Sequence, residues 1–159
     1  MQKAWLVTLL VAASKLGGSV DAEASAAQPD AAKDDQGSDI FESEAPRLQG
    51  ILTDANKAVT GPSSAARCVR SSGSIACFLP NGDKFYVKDI KADGASAVAV
   101  WETDYGRRGV CRNPYGADQW AVCDYNFREN RTIRWQAWQY DGDTGRFVGD
   151  KSWPVRSRT

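Results

Sequence analysis

The 159-residue chain contains no histidine. That absence removes the usual Ser-His-Asp and Cys-His nucleophile systems and most zinc sites, which rely on an imidazole as base or ligand. Long apolar runs are also missing. The longest, Ala4–Ala13, is about half of the roughly 20 residues needed to span a bilayer, and Lys15 follows it closely. Charge of one sign does not dominate either: 20 basic residues balance 20 acidic ones. A concentrated basic face for nucleic acid is therefore not expected, and neither is insertion into a membrane.

The short apolar run near the start has another reading. Lys3 precedes it, and small residues follow in the patterns Val20-Asp21-Ala22 and Ala22-Glu23-Ala24. This is the layout of a secretory signal over residues 1–24, so the mature protein is expected outside the cell. The four cysteines, Cys68, Cys77, Cys111 and Cys123, all lie beyond it. An even count in an exported chain points to disulfides rather than free thiols. The C-x8-C and C-x11-C spacings do not suit a metal. Three pairings are open, and the local ones, Cys68–Cys77 and Cys111–Cys123, are favoured because each brackets a plausible turn.

Charge and composition divide the rest. Residues 25–50 carry six acids against Lys33 and Arg47, whereas Arg67–Thr159 carries fifteen basic and eleven acidic residues. Residues 25–66 read as a flexible acidic extension, disordered when alone up to about Ala45 because it has little apolar surface to bury. Leu48, Ile51, Leu52, Ala55 and Val59 then fall at helical spacing, predicting a short amphipathic segment over Arg47–Val59. It can dock on a partner through Leu48, Ile51 and Leu52, or pack on its own domain.

From Arg67 the apolar period becomes two, with turn residues at close intervals. Strands are expected at Ser74–Leu79, Lys84–Lys88, Ser96–Thr103, Gly109–Arg112, Gln119–Tyr125, Thr132–Tyr140 and Arg146–Val148. Residues 67–159 therefore read as an all-β domain, a small antiparallel β-sandwich or barrel with two disulfides. Within Thr132–Tyr140, alternation sets Ile133, Trp135 and Ala137 toward the core and Arg134, Gln136, Trp138 and Tyr140 toward solvent. Both sides of Ser96–Thr103 carry apolar residues, so that strand is expected to be central.

Candidate chemistry is sparse. Acid pairs among the domain's carboxylates carry little specificity for glycosidase work. Asp141-Gly142-Asp143-Thr144-Gly145 lacks the ligand count of a calcium loop and suits a hairpin turn. No cofactor or metal is expected, and no catalytic role. Exposed aromatics beside arginine are what protein- and sugar-binding sites favour. Trp138, Tyr140 and Arg134, with Tyr86 more weakly, are the candidate partner-binding residues.

Three stretches together resemble a group of small secreted actinobacterial proteins. They are the strand Asp93-Gly-Ala-Ser-Ala-Val-Ala99 running to Trp101, the cysteine in Gly109-Val-Cys-Arg-Asn113, and Trp120-Ala-Val-Cys-Asp-Tyr-Asn126. The likeness covers roughly Cys68 to Tyr140, and it extends to the small adaptor subunit of secreted umbrella-shaped antibacterial toxin complexes. The resemblance implies a β-domain with an extended N-terminus that joins other extracellular subunits. A secreted protease inhibitor acting through Asn113–Asp118, or a cell-wall or glycan-binding module, are the rival readings.

Overall fold

The computed structural model describes Leu48 and residues 51–159; the expected signal and most of the acidic extension lie outside these residues. The described chain forms two packed sheets. The first has the order β1-β7-β6-β9-β10, with β11 also on β9; the second has the order β2-β8-β5-β4-β3. The strands are β1 Leu52–Asp54, β2 Asn56–Ala58, β3 Arg67–Arg70, β4 Ser74–Leu79, β5 Lys84–Asp89, β6 Ser96–Thr103, β7 Arg108–Arg112, β8 Trp120–Asp124, β9 Thr132–Asp141, β10 Arg146–Val148 and β11 Val155–Arg158. All seven expected strands are present, and the all-β sandwich class holds.

Alternation builds the main core. Ala97, Ala99 and Trp101 of β6 and Ile133, Trp135 and Ala137 of β9 face Ala76 and Phe78 of β4 and Phe85 and Val87 of β5. The aromatic rings meet in tilted and edge-on pairs, Phe78–Trp135 at 5.6 Å and Phe85–Trp135 at 6.0 Å between centroids, the geometry that ring quadrupoles favour. β6 is central, as its two apolar faces require, with β7 on one side and β9 on the other.

Leu48 is helical, but over Leu52–Ala58 the segment expected as an amphipathic helix is instead strand, so the sheets begin well before Arg67. Leu52–Asp54 lies parallel to β7, and Asn56–Ala58 pairs antiparallel with β8. Ala55 crosses between the sheets, its N–H donating to Arg112 O at 2.8 Å. The physical reason is competition. A helix of this length has a costly nucleus and weak formers such as Thr53 and Asn56, whereas β7 and β8 would otherwise present unpaired backbone edges. One short extended segment satisfies both.

Both disulfides form as expected, Cys68–Cys77 and Cys111–Cys123, and no free cysteine remains. Their roles differ. Cys68 and Cys77 face each other across the β3–β4 hairpin, so the turn argument applies. Cys111 of β7 and Cys123 of β8 belong to different sheets, and their bond ties the sandwich together where β1 and β2 close its edge. Two disulfides fit an oxidising, extracellular setting.

Candidate functional site

The expected binding face proves to be a second core. Trp138 is only 7 % exposed and packs with Leu48, Val98, Val100 and Val110, with Leu52, Tyr140 and Phe147 at the margin. Its ring stands 4.8 Å from that of Phe147, its indole N–H donates to Gly149 O at 3.1 Å, and Lys151 Nζ lies 5.4 Å over it. Alternation did place Trp138 on the outer face of the first sheet. That face is covered by Leu48 and Leu52 from one side and by the β9–β10 hairpin from the other. Leu48, Leu52, Trp138 and Tyr140 are therefore brought together, as mutual packing partners within one chain rather than as a free surface.

The other candidates are dispersed. Ile51 is exposed and is not among the residues packed in this cluster. Tyr86 lies half-buried on β5, opposite Cys77 and Val122 in the second sheet. Arg134 pairs with Glu102 at a distance from Trp138 along β9. The turn at Asp141 is a turn: its carboxylate accepts from Asp143 N–H and Thr144 N–H and from the Thr144 hydroxyl. These bonds hold the Asp141 carboxyl below the usual carboxylate range. Among the described residues, no group of three or more acidic, cysteine or histidine side chains is arranged to hold a metal ion.

Two exposed aromatics stand on braced backbone instead. Trp153, on the connection between β10 and β11, is 84 % exposed. The residue before it is fixed to β9 from three directions. Ser152 N–H donates to Ala137 O at 2.8 Å, Ser152 Oγ accepts from Ala137 N–H at 2.9 Å, and Ser152 O accepts from Gln136 Nε2 at 2.8 Å. Pro154 then restricts the following φ, and β11 begins at once. The indole is displayed on rigid backbone without a cover. Nothing in the alternation pattern marks it; the available signal is a lone Trp-Pro pair in an otherwise polar run, Gly149-Asp-Lys-Ser152.

The second is Tyr115, 42 % exposed, at the tip of Asn113–Asp118. Asn113 is fully buried, and its amide donates to Val87 O at 3.1 Å and Gln119 O at 2.8 Å while its carbonyl accepts from Tyr115 N–H at 2.9 Å. Asp118 N–H donates to Asp89 O at 2.8 Å, and Asp118 pairs with Lys88 at 3.2 Å. Burial pushes the Asp89 carboxyl upward at the base of this loop.

Comparison with family models, curated proteins and solved structures gives no match. The functional reading therefore rests on the chain's own chemistry.

Proposed function

We propose that the protein is a secreted, non-enzymatic protein-binding module, in its narrower form an adaptor subunit of an extracellular toxin complex. The observation that supports this is Trp153. A braced indole at 84 % exposure gains little for a self-sufficient domain, while rigid exposed tryptophans are the commonest anchors of protein interfaces. Because Ser152 and Pro154 already hold the backbone, binding orders few further groups.

Affinity purification of the tagged chain from its native culture supernatant tests the reading. A subunit that co-purifies with the wild type should be lost with Trp153→Ala. Interface tryptophan truncations commonly weaken association by about thirtyfold. The same variant should leave unfolding free energy within about 0.5 kcal/mol, as for other solvent-facing changes. Equal capture by Trp153→Ala and wild type would remove Trp153 as the anchor. Retention only on cell-wall material would replace a protein partner by a glycan.

One observation favours a second reading, protease inhibition. Inhibitory loops must stay rigid in a protease cleft, and Asn113 ties both ends of the Tyr115 loop to the body of the domain. If the captured partner is a protease, its loss should follow Tyr115→Gly rather than Trp153→Ala.

A further inference from the structure

A cleft of about 420 Å³ opens between the β5–β6 loop and the β7–β8 loop; Asp89, Lys91, Ser96, Pro114, Gly116 and Ala117 are among the residues that line it. Asp89 follows Phe85 and Val87 on the inward side of β5 and is only 2 % exposed. Its Oδ1 accepts from Lys91 N–H at 2.9 Å, whereas its Oδ2 takes no hydrogen bond from the described residues. The Ser96 hydroxyl, at the start of β6, also has no hydrogen-bond partner among them. The walls are held in place. Asp118 N–H donates to Asp89 O at 2.8 Å, and the Asn113 amide ties the β7–β8 loop to Val87 O and Gln119 O.

Two further acids stand near Asp89, and both are already paired. Asp93 Oδ2 lies 3.1 Å from Lys91 Nζ and accepts from Gln139 Nε2 at 3.0 Å. Asp118 lies 3.2 Å from Lys88 Nζ. Asp89 has no cationic partner among the described residues, so its negative charge is the one left uncompensated in the cleft. Burial raises its carboxyl, the Lys91 N–H draws it back in part, and the Asp93 and Asp118 charges push it up again. A buried carboxylate beside like charges is costly until a cation joins it. Calcium does not fit: it takes about six to eight oxygen ligands, and the cleft offers one unengaged carboxylate oxygen and one hydroxyl.

We propose that this cleft binds a primary ammonium group, carried by a free polyamine or by a lysine side chain of an extracellular protein, with Asp89 Oδ2 and the Ser96 hydroxyl as its acceptors. The arrangement selects ammonium over guanidinium. Arginine gains most from a carboxylate when both oxygens take parallel hydrogen bonds, and Asp89 Oδ1 is already engaged by Lys91 N–H. An ammonium is a compact charge with three rotatable donors. One oxygen, one hydroxyl and a solvent molecule at the mouth satisfy it. Because both loops are tied down beforehand, binding orders little backbone. The inference goes beyond the Trp153 reading and uses none of its residues.

Titration of the full chain with Nα-acetyl-lysine-methylamide and with putrescine, followed by amide chemical shifts, tests it. Both probes should give saturable shifts at the amides of Lys91, Ser96 and Ala117. Asp89→Asn keeps an acceptor for Lys91 N–H but turns an amide N–H toward the ammonium. It should weaken binding by about tenfold or more, the scale of one charge-assisted hydrogen bond. Ser96→Ala should weaken it by about threefold. Asp118→Asn removes the same charge from a carboxylate already paired with Lys88, and should leave affinity within about threefold. The probes also separate the sources. Putrescine binding tighter by about tenfold or more supports a free polyamine, while equal or tighter binding of the lysine derivative supports a protein side chain. No saturable shift with either probe overturns the proposal, as does affinity unchanged in a folded Asp89→Asn variant. Two comparisons on the wild type are independent of any variant's folding: equal affinity for the neutral Nε-acetylated lysine derivative, or for Nα-acetyl-arginine-methylamide, overturns the ammonium assignment.

Discussion

Replacing Trp135 by alanine is expected to destabilise the domain by about 3–5 kcal/mol, the range for truncating a fully buried tryptophan. Trp135 is 0 % exposed, sits between the sheets against Phe78 and Phe85, and donates its indole N–H to Ala76 O at 3.4 Å. Neither sheet can collapse into the vacated volume without breaking the ladder that spaces its strands, so most of the cavity should persist. At roughly 4–8 °C per kcal/mol for a domain of this size, the melting temperature should fall by about 15 °C or more. Trp138→Ala should also destabilise, by about 2–3 kcal/mol, since it loses the Phe147 contact and the bond to Gly149 O but leaves a cavity at the rim of a smaller cluster. Thermal and urea unfolding of the two variants measure both effects. Trp138→Ala within about 0.5 kcal/mol of wild type would return that face to solvent.

The contrast between these adjacent tryptophans shows what alternation conveys and what it omits. Period two correctly separates Trp135 from Trp138 onto opposite faces of β9. It contains no information on whether an outer face is covered, because the cover comes from elsewhere: Leu48 and Leu52 lie more than 80 residues before Trp138 in the chain, and Phe147 lies across a hairpin. Long strands with turn residues between them were legible. β1, β2, β3 and β11 were not, since three or four residues are too few to establish a period; the equally short β10 was legible only through the turn Asp141–Gly145 before it. Apolar residues at helical spacing misled over Leu52–Ala58, where two open sheet edges outweigh a weak local preference. The disulfide pairs were legible from the turns they bracket, though for Cys111–Cys123, which joins two sheets, that reason was incomplete. Trp153 carried almost no sequence signal, because exposure on a braced connection depends on hydrogen bonds from Ser152 to a strand fifteen residues earlier.

The two disulfides should separate sharply under reduction. Cys111 and Cys123 are 0 % and 4 % exposed, belong to the main core, and join β7 to β8 across the sandwich with Cα atoms 6.0 Å apart. Removing that bond frees a loop in the unfolded chain worth about 3 kcal/mol. Alanines at both positions also leave a void beside the core, adding about 1 kcal/mol or more. C111A/C123A should therefore lose about 4 kcal/mol, and β1 and β2, which close the same edge, should lose exchange protection first. Cys68 is exposed on edge strand β3, and its partner is already held opposite it by the β3–β4 ladder. C68A/C77A should cost less, about 2–3 kcal/mol, because its shorter loop restricts the unfolded chain slightly less and volume is vacated only on the buried Cys77 side. Thiol attack requires access to a sulfur. Mild reductant under native conditions should thus open Cys68–Cys77 alone, giving a species alkylated only at those two positions, still folded and cooperative. Alkylation at Cys111 and Cys123 first, or at all four together, would show that the inter-sheet bond is not the shielded one.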